Sequence, residues 1–352
     1  MNTTNKIRIG INGFGRIGRL TTRVLLTKFA DLVEIVAVND LTDSANLAYL
    51  FRNDTTYRHF SGTVEIDGSD LVINGQKIKV LAQKDPTQLG WGELGIDVVL
   101  ECTGRFLTTE LANLHIQAGA RGVLLSAPAK NPEILTVVQG VNVSSFDKPG
   151  DYSDNARFAS ESIISNASCT TNCIAPAIKI LQDYFSLEQV NAITVHAYTS
   201  TQVLQDGPSQ KEWRDGRAAA QNSIPSKTGA AKAVELVLPK LRGKVSLSSL
   251  RVPVVTGSMV YLVATLSEEV TAEDLNAKIK AEIDANYLGV VEYGTDEYVS
   301  SDVIGNSHSC LIDSSLTKTL GKTVELTLWY DNEWGYSNRL AELLIQKSRA
   351  MK

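Results

Sequence analysis

The chain has 352 residues, and its 43 % hydrophobic and 21 % charged content is ordinary for a globular protein. Length and composition therefore exclude a wholly disordered, collagen-like or coiled-coil chain and suggest about two domains. The formal charge of −5, without a block of lysines and arginines, argues against a dedicated nucleic-acid binder. No apolar run approaches the roughly 18 residues that cross a bilayer, and the first ten residues lack a signal peptide's apolar segment, so we expect a cytoplasmic protein.

Cysteine and histidine usage limits the covalent and metal chemistry that is open to the chain. It has four residues of each type, and the cysteines stand at positions 102, 169, 173 and 310 without forming a C-x-x-C pair. A chain of this length with so few cysteines needs no disulfide framework, and this spacing is not typical of a metal site. We therefore expect no metal ion.

The first 40 residues have the pattern of one βαβ unit. An apolar strand at 7–11 leads into a glycine turn at 13–18, and helical apolar spacing follows over 19–29. A second apolar strand at 33–38 ends at Asn39 and Asp40. This order of elements predicts two parallel strands joined by a crossover helix.

The same alternation continues to about residue 165. Residues 62–81 have hairpin character, and strands beginning at Val98 and Val123 flank a helix over 109–117. Strands that alternate with helices over this length indicate a mostly parallel, doubly wound sheet of the Rossmann type.

After Asp147 the pattern changes to that of an α+β domain. Residues 148–160 form a polar segment that we interpret as surface decoration, and residues 199–221 form a second long polar loop. Helices are predicted over 170–185, 272–285 and 338–346, and strands over 192–196, 259–266 and 324–329. The predicted fold class is thus α/β, with a Rossmann-type parallel sheet plus an α+β catalytic domain whose sheet is mainly antiparallel. We expect an NAD-binding domain over 1–168, a catalytic domain over 169–332, and a C-terminal helix within 333–352 that packs back on the first domain.

The glycine turn carries the first chemical signal. Gly13, Gly15 and Gly18 form a G-x-G-x-x-G motif between a strand and a helix, where glycines allow a pyrophosphate to approach the helix N-terminus. Asp40 ends the second strand, where an acid accepts hydrogen bonds from ribose hydroxyls and repels a 2′-phosphate. The pattern predicts dinucleotide binding, with NAD favoured over NADP; a structural turn and a surface acid are the alternative.

A cysteine and a histidine carry the second signal. Cys169 lies in the predicted first turn of a helix, where the helix dipole and unpaired N–H groups lower a thiol's pKa. A thiolate nucleophile needs a base or an imidazolium partner, and His196 ends a strand, where sites collect. We therefore expect Cys169 and His196 to act together, although a buried structural cysteine and a structural histidine remain the alternative. Hydroxyl and arginine side chains that suit phosphate oxygens are scattered through the second half: Thr199, Arg214, Arg217, Thr228 and Arg251.

The chain closely resembles the family of phosphorylating glyceraldehyde-3-phosphate dehydrogenases. The matching stretches run in order from end to end at 11–19, 165–173, 196–199, 206–209, 226–233 and 329–339, and the stretch around Cys169 is the most specific. The resemblance implies that glyceraldehyde 3-phosphate is oxidised and phosphorylated to 1,3-bisphosphoglycerate with NAD and inorganic phosphate, through a thiohemiacetal and a thioester on Cys169. This reaction is reversible and belongs to glycolysis and gluconeogenesis. The family also implies a homotetramer.

Carried over residue by residue, the resemblance implies a role for each matching site. Cys169 is the nucleophile and His196 its partner. The cofactor positions, besides the three motif glycines, are Arg16, Ile17, Asp40, Lys84, Ser126 and Asn332; the family often has Arg where Lys84 stands. The positions for the substrate's phosphate or for inorganic phosphate are Ser168, Thr170, Thr199, Arg214, Thr228, Gly229 and Arg251.

Two other functions remain open at this point. Erythrose-4-phosphate dehydrogenase is a close relative with the same cysteine motif and needs no site for inorganic phosphate. A non-catalytic protein that uses only its nucleotide pocket is the other alternative. The retained phosphate-binding residues and the intact Cys169–His196 pair favour the phosphorylating enzyme.

Overall fold

The structure is a computed structural model that describes residues 6–210 and 212–351. Its internal contacts divide the chain into two compact units, which we treat separately. The first unit comprises the described residues of Met1–Val137, Asp154–Ala167 and Ser337–Lys352, and the second comprises Val138–Ser153 and Ser168–Tyr336. Val138–Ser153 thus groups with the second unit, whereas the sequence-based boundary at residue 168 includes it in the first domain.

The first unit alternates strands and helices, as the sequence predicts. In chain order its elements are β1 (Ile7–Asn12), α1 (Arg16–Lys28), β2 (Val33–Asn39), α2 (Ser44–Arg52), β3 (Val64–Asp67), β4 (Asp70–Ile73), β5 (Gln76–Leu81), β6 (Val98–Glu101), α3 (Thr109–Gln117), β7 (Gly122–Leu125), β8 (Leu135–Thr136), α4 (Asn155–Ser160) and β9 (Ile163–Ser165). A short 3₁₀ turn spans Pro86–Gln88.

A twisted sheet forms the centre of this unit. Among the described residues it has nine strands in the order β3-β4-β5-β2-β1-β6-β7-β9-β8. The strands from β5 to β8 pair in parallel, while β3, β4 and β5 form an antiparallel meander in place of the predicted hairpin. The chain moves from β1 to β2 on one side and reaches β6 on the other. The carboxyl ends of β1, β2 and β6 therefore meet at a topological switch point, where ligands bind in sheets of this kind. The predicted Rossmann-type sheet is confirmed.

Apolar alternation explains the elements around the glycine turn. Ile7, Ile9 and Ile11 of β1 are buried, and α1 buries Leu20 and Val24 on one face, so strand and helix share one core. The helix begins directly after the turn at Arg16, three residues before the predicted start, because Gly15 acts as its N-cap.

The second unit combines a sheet with helices. Its elements are α5 (Cys169–Phe185), β10 (Leu187–Ala197), β11 (Ile224–Ser226), α6 (Ala230–Val237), β12 (Val245–Val252), β13 (Ser258–Leu266), α7 (Ala272–Asn286), β14 (Val291–Gly294), β15 (Cys310–Leu320) and β16 (Thr323–Tyr330). The 3₁₀ turns Trp213–Gly216 and Pro239–Leu241 interrupt its loops. Helix α8 (Trp334–Ala350) follows and lies mostly in the first unit.

The sheet of the second unit is mainly antiparallel, as predicted. In the described part of the chain its order is β11-β12-β10-β13-β16-β15-β14, and β13 alternates buried and partly exposed residues along its length. Two pairs depart from this pattern: β14 and β15 run parallel at one edge, and β10 and β12 run parallel with His196 opposite Arg251. That register brings two of the predicted site residues side by side.

The polar segment 148–160 is not only a loop. Its last six residues form α4, whose Phe158 is buried. The ammonium of Lys347, on α8, donates to the carbonyl oxygens of Phe158 (2.6 Å) and Ala159 (3.1 Å) and so caps this short helix. Burial lowers the pKa of Lys347 to about 8. The sequence did not reveal the helix because the residue that caps it lies nearly 190 positions away.

Candidate functional site

A cleft of about 360 Å³ opens in the first unit at the carboxyl ends of β1, β2 and β6. Gly13, Gly15, Asp40, Lys84 and Thr103 are among the residues that line it. The structure therefore brings four of the nine residues predicted to bind the cofactor, Gly13, Gly15, Asp40 and Lys84, to the lining of one cleft at the switch point of the sheet.

The glycine turn leaves room for a ligand at the start of α1. Gly13 has φ +93°, and a Cβ atom on Gly18 would lie 2.2 Å from the carbonyl oxygen of Gly13, so a side chain fits at neither position. A Cβ on Gly15, in contrast, would meet nothing within 4 Å. Gly15 has no side chain with which to cap α1, and the first turn of the helix has no acid. A helix N-terminus without a side-chain cap or an acid in its first turn favours an anion such as a pyrophosphate.

Asp40 is oriented by two backbone hydrogen bonds. Its Oδ2 accepts from the N–H of Phe14 (2.9 Å) and its Oδ1 from the N–H of Thr42 (3.0 Å). The carboxylate is held at the end of β2 on the wall of the cleft, where it can accept from ribose hydroxyls and repels a phosphate.

The other cofactor positions of this unit surround the cleft in different ways. The guanidinium of Arg16 binds Asp54 (2.5 Å) and lies over the ring of Tyr57, and Arg16 and Ile17 are the first two residues of α1. Lys84 is exposed on the cleft wall. Ser126 follows β7, and its N–H donates to the carbonyl oxygen of Glu101 (3.0 Å).

A buried polar network that the sequence did not reveal lies beneath the cleft. The carboxylate of Glu101 accepts from Asn12 Nδ2 (2.6 Å), from the N–H of Thr103 (2.6 Å) and from the hydroxyl of Thr103 (2.5 Å). It also faces Nε2 of His115 (3.1 Å), and the indole N–H of Trp91 donates to Nδ1 of the same imidazole (3.0 Å). Since the indole can only donate, His115 is neutral and carries its proton on Nε2. The network thereby holds the walls of the cleft.

Cys169 lies in the second unit as the first residue of α5. Ser168 caps the helix by accepting from the N–H of Thr171 (3.1 Å), and Ala167 before it has φ +53°, a strained value for alanine. The Sγ atom of Cys169 is 3.4 Å from Nε2 of His196. The predicted pair is therefore in contact.

The expected low pKa of Cys169 is not found. Burial raises the pKa of its thiol above the ordinary value, although the charge of Arg251 and hydrogen bonds from Thr170 act in the opposite direction. The helix N-terminus is visible in the sequence, but burial depends on distant elements and here has the larger effect.

His196 is the second-to-last residue of β10, and Arg251 is its neighbour on β12. Its Nδ1 lies 2.7 Å from the carbonyl oxygen of Ala197 and 2.6 Å from Nη1 of Arg251. Burial and, second, the charge of Arg251 lower the pKa of His196 to about 3. The lowered pKa favours the neutral imidazole, which can accept a proton as a base.

Tyr330 is a residue of this site that the sequence did not single out. Its ring packs edge-on against the imidazole of His196, and its hydroxyl lies 2.9 Å from the hydroxyls of both Thr170 and Thr194. It links α5, β10 and β16 around the Cys–His pair. Its position within the matching stretch 329–339 was the only available signal.

Asn332 is held by two hydroxyl groups. Its Oδ1 accepts from Ser258 (2.8 Å) and Thr256 (3.3 Å), and Ser258 Oγ also accepts from the N–H of Ala197 (3.0 Å). This chain connects the amide to the end of β10, directly after His196. Neither Ser258 nor Thr256 was predicted.

The remaining phosphate positions lie on two helix N-termini and one loop. Thr228 Oγ1 accepts from the N–H of Ala230 and Gly229 is the N-cap of α6, whose first turn has no acid. Arg214 is exposed. Within the described residues, no hydrogen bond joins Arg214, Thr228 or Gly229 to the group of Cys169, His196 and Arg251. The structure thus brings together Cys169, His196 and Arg251, with Thr170 joined through Tyr330.

The loop that carries Thr199 is held by Gln202 and Asp215. Gln202 accepts from the N–H of Thr199 (3.0 Å) and donates to Asp215 (3.1 Å), which also accepts from the hydroxyl of Ser226 (3.0 Å). These bonds join Thr199 to the 3₁₀ turn of Arg214 and to β11, two residues before Thr228.

Three general features complete the description. All four cysteines are free thiols. Within residues 6–210 and 212–351, no cluster of three or more His, Cys, Asp or Glu side chains is arranged to bind a metal ion. The same residues contain no helix with the length and apolar character needed to cross a bilayer.

The fold and the two sites are those of two-domain, dinucleotide-dependent dehydrogenases. Residues 7–109 match the family model of the glyceraldehyde 3-phosphate dehydrogenase NAD binding domain, and residues 168–332 match that of the C-terminal domain. The chain belongs to the glyceraldehyde-3-phosphate dehydrogenase family. This finding confirms the family predicted from the sequence, the NAD-dependent oxidoreductase class and, through the family's NAD binding domain, the NAD cofactor.

Relatives that share the whole length agree with this assignment. Glyceraldehyde-3-phosphate dehydrogenase of Mycolicibacterium smegmatis is 47 % identical over 350 residues, which covers 97 % of this chain and 99 % of the relative. The enzyme of Streptomyces coelicolor is 48 % identical over 341 residues, covering 96 % and 98 %. Glyceraldehyde-3-phosphate dehydrogenase 1 of Bacillus subtilis is 46 % identical over 338 residues, covering 96 % and 97 %.

Proposed function

We propose that the chain oxidises and phosphorylates D-glyceraldehyde 3-phosphate to 1,3-bisphosphoglycerate with NAD and inorganic phosphate. The observation that carries the proposal is the contact between Cys169 Sγ and His196 Nε2 at the start of α5, 3.4 Å apart. A cysteine nucleophile next to a neutral imidazole is the arrangement that covalent catalysis on an aldehyde requires. The family relationship supports the choice of substrate.

The first unit is the NAD-binding part in this proposal. The backbone N–H groups of Arg16 and Ile17 bind the pyrophosphate in the space that Gly15 leaves open. Asp40 accepts from the adenosine ribose, and Lys84 and Ser126 lie along the cofactor. Asn332, fixed through its Oδ1, donates from its amide nitrogen to the nicotinamide carboxamide.

The second unit is the catalytic part. Ser168, Thr170, Thr228 and Gly229 bind inorganic phosphate, supported by the acid-free first turns of α5 and α6. Thr199 and Arg251 bind the phosphate of the substrate. Arg214 contacts both phosphate groups. It lies in a 3₁₀ turn whose Asp215 is hydrogen-bonded to Gln202, in the loop that carries Thr199.

The chemistry follows from what Cys169 and His196 can do. Cys169 adds to the aldehyde carbon as its proton passes from the sulfur to Nε2 of His196, and the new oxyanion, which accepts a hydrogen bond from the Cys169 N–H, takes that proton from Nε2 to become the hemithioacetal hydroxyl. His196 then takes the hydroxyl proton of the hemithioacetal on Nε2. NAD, when bound, accepts the hydride. The resulting thioester on Cys169 retains the free energy of oxidation, and bound phosphate attacks it and releases the acyl phosphate.

We also propose a homotetramer in the cytoplasm. The loop after Thr199 exposes two large apolar side chains, Leu204 (84 %) and Trp213 (87 %), which is typical of a surface that meets another subunit. Four free thiols, one of them the nucleophile, fit a reducing compartment. Light scattering on the purified chain measures the assembly, and a monomer mass would contradict the tetramer.

The decisive experiment is NADH formation by the purified chain with glyceraldehyde 3-phosphate. We expect turnover with NAD that depends strongly on inorganic phosphate and is much slower with NADP. Phosphate-independent turnover, or a preference for erythrose 4-phosphate, would overturn the proposal in favour of that dehydrogenase. Nucleotide binding without oxidation of either aldehyde would indicate the non-catalytic role.

A variant pair sharpens this test. Thr228→Val removes a hydroxyl from the proposed inorganic phosphate site, so we expect the KM for inorganic phosphate to rise about tenfold, the loss of one charge-assisted hydrogen bond. Thr295→Val, at an exposed position that follows β14, is the matched control and should leave this KM unchanged.

A further inference from the structure

Asn332 presents only its amide nitrogen to a ligand. Its Oδ1 accepts from the hydroxyls of Ser258 (2.8 Å) and Thr256 (3.3 Å), so both lone pairs of the oxygen are used inside the protein. Its Nδ2, in contrast, makes no hydrogen bond to any residue that the structure describes. The buried side chain therefore offers a ligand two hydrogen-bond donors and no acceptor.

Ser258 holds the amide of Asn332 in this orientation. The hydroxyl of Ser258 is buried, and its oxygen accepts from the backbone N–H of Ala197 (3.0 Å). Its own proton goes to Oδ1 of Asn332, which is its only acceptor among the described residues. If the amide were turned over, Nδ2 would face the hydroxyl and this buried proton would have no acceptor, which is costly. The observed orientation is therefore the one that satisfies Ser258.

Thr256, the second hydroxyl at this amide, is compatible with both orientations. It has one proton and lies 3.3 Å from two acceptors, Oδ1 of Asn332 and Oδ1 of Asp331. A carboxylate is the stronger acceptor of the two. When the proton goes to Asp331, the Thr256 oxygen can accept from Nδ2 of a turned amide. Thr256 and Asp331 alone would therefore favour the turned orientation, and only Ser258 opposes it.

The backbone around Asn332 fixes the place of the side chain but not the orientation of its amide. Asp331 accepts from the backbone N–H groups of three residues around the turn between β16 and α8: Gly305 (2.8 Å), Glu333 (2.9 Å) and Trp334 (2.8 Å). These bonds hold the turn that carries Asn332. Rotation of the amide about its last side-chain bond would leave all three intact, so the orientation depends on the hydroxyl of Ser258.

We propose that Ser258 is a positioning residue that makes the nicotinamide site select a hydrogen-bond acceptor. Its hydroxyl holds the amide of Asn332 with Nδ2 towards the ligand, so the substituent at position 3 of the pyridine ring must offer an oxygen there. The same hydroxyl accepts from Ala197, the residue after His196, and so fixes Asn332 relative to the end of β10. The inference rests on the proposed function for the place of the nicotinamide at Asn332.

An analogue of NAD reports the orientation of the Asn332 amide. The carboxamide of NAD has both an oxygen and an NH₂ group, so it can rotate to match either end of the amide. In 3-acetylpyridine adenine dinucleotide a methyl group replaces the NH₂, and only the oxygen can form a hydrogen bond. This analogue matches Asn332 only when Nδ2 faces the ligand. Its affinity relative to that of NAD therefore measures what Ser258 does.

Calorimetric titration of the full chain, without substrate, tests the proposal. In Ser258→Ala the amide of Asn332 turns over, so the acetyl analogue should bind about tenfold more weakly than it binds the unaltered chain, the loss of one hydrogen bond. NAD should lose clearly less affinity, because its carboxamide can rotate to follow the amide. ADP-ribose, which lacks the pyridine ring, should bind unchanged. A merely structural serine would weaken NAD and the acetyl analogue by the same factor, and that result would overturn the proposal.

Further variants serve as controls. Ser246→Ala, at an exposed position of β12, should change none of the three affinities. In Thr256→Val the hydroxyl of Ser258 still holds the amide, so the ratio of the NAD and acetyl-analogue affinities should stay as in the unaltered chain. If Ser258→Ala did not fold, Ser258→Cys, whose thiol is a weaker donor, should change the same ratio in the same direction. An unchanged ratio in the folded Ser258 variant would contradict the proposal.

The titrations also separate this inference from the proposed function. If the unaltered chain oxidised no aldehyde but the affinities changed as expected, the proposed function would fail and the role of Ser258 would stand. If NAD bound the unaltered chain no more tightly than ADP-ribose, the nicotinamide would gain nothing from Asn332, and the role of Ser258 would be refuted whatever the activity.

Discussion

Each unit of this chain buries one histidine, and the two differ in how their nitrogen atoms are satisfied. His115 in the first unit receives the indole N–H of Trp91 on Nδ1 and directs Nε2 at the carboxylate of Glu101, so each nitrogen has one complementary partner. His196 in the second unit has a donor and an acceptor competing for Nδ1 and a thiol at Nε2. Both side chains are almost wholly buried.

The comparison teaches that burial alone does not identify a functional histidine. Complementary partners fix one tautomer and make His115 part of the scaffold beneath the cofactor cleft. His196 has no such complementary set: Nδ1 faces both a carbonyl oxygen and a guanidinium, and Nε2 faces the thiol of Cys169. Changes at His115 should therefore affect stability and NAD binding, and changes around His196 should affect the chemistry.

The largest effect is expected from removing the thiol that faces His196. Cys169→Ser should reduce the rate of glyceraldehyde 3-phosphate oxidation by on the order of 10³-fold or more, because a hydroxyl is a far weaker nucleophile than a thiol. NAD binding, followed by calorimetry, should stay nearly unchanged since the cleft is built by the first unit. Cys310→Ser serves as the control and should retain most of the activity. Substantial activity in Cys169→Ser would refute the assignment of the nucleophile.

In the buried network around His115, substitution of Glu101 should lower the free energy of unfolding more than substitution of any other member. Glu101→Gln places an amide group among four donors, so one donor must face another, and we expect the free energy of unfolding to fall by about 3 kcal/mol. Because Thr103 lines the cleft, the KM for NAD should rise while kcat changes little. Chemical denaturation and steady-state kinetics measure the two effects, with the exposed Glu110→Gln as control. A lowered kcat at saturating NAD would contradict this separation.

Acid should reveal the buried neutral state of His196. Its pKa is about 3 in the folded chain and about 6.5 when unfolded, so between these values only the unfolded chain binds the proton. The free energy of unfolding should therefore decrease as the pH falls through this window, by up to about 1.4 kcal/mol per pH unit from this residue. His196→Asn should lower that slope, and the exposed His59→Asn should lower it less. Equal slopes in His196→Asn and the unaltered chain, from urea unfolding at several pH values, would show that His196 is not buried as the neutral form.

A smaller effect is expected from the indole that fixes His115. Trp91→Phe removes the donor to Nδ1 and leaves a buried lone pair unsatisfied, which costs about 1–3 kcal/mol of unfolding free energy. The rate of aldehyde oxidation per folded molecule should not change. Trp213→Phe, at an exposed position, is the matched control for stability. A loss of kcat in Trp91→Phe would mean that the two histidines are not as different as their contacts indicate.

The sequence was informative where the signal is local. The G-x-G-x-x-G turn, the acid at the end of β2 and the cysteine at the start of α5 depend on neighbouring residues, so their pattern predicted where the structure places them. The type of each sheet followed from the alternation of strands and helices in the same way. The ends of helices were predicted less accurately. The final helix, for example, begins at Trp334, four residues before the predicted start.

The rest of the site depends on contacts between distant segments. Arg251 reaches His196 across 55 positions because β10 and β12 pair in parallel, and no local pattern announces that register. Tyr330 and Ser258 join the site from other strands of the same sheet. The pKa of Cys169 was misjudged for the same reason, since the helix N-terminus is local but burial is not. His115 showed no pattern at all, because its partners Trp91 and Glu101 are brought to it by the fold.

The central claim, that Cys169 carries the substrate as a thioester until phosphate releases it, has a direct measurement. The full chain is mixed rapidly with NAD and glyceraldehyde 3-phosphate without inorganic phosphate, and NADH and the mass of the Cys169 peptide are followed together. The account predicts a burst of NADH, stoichiometric with active sites, and an acyl group on Cys169 that disappears when phosphate is added. Absence of the burst, or an acyl group on a different residue, would contradict it.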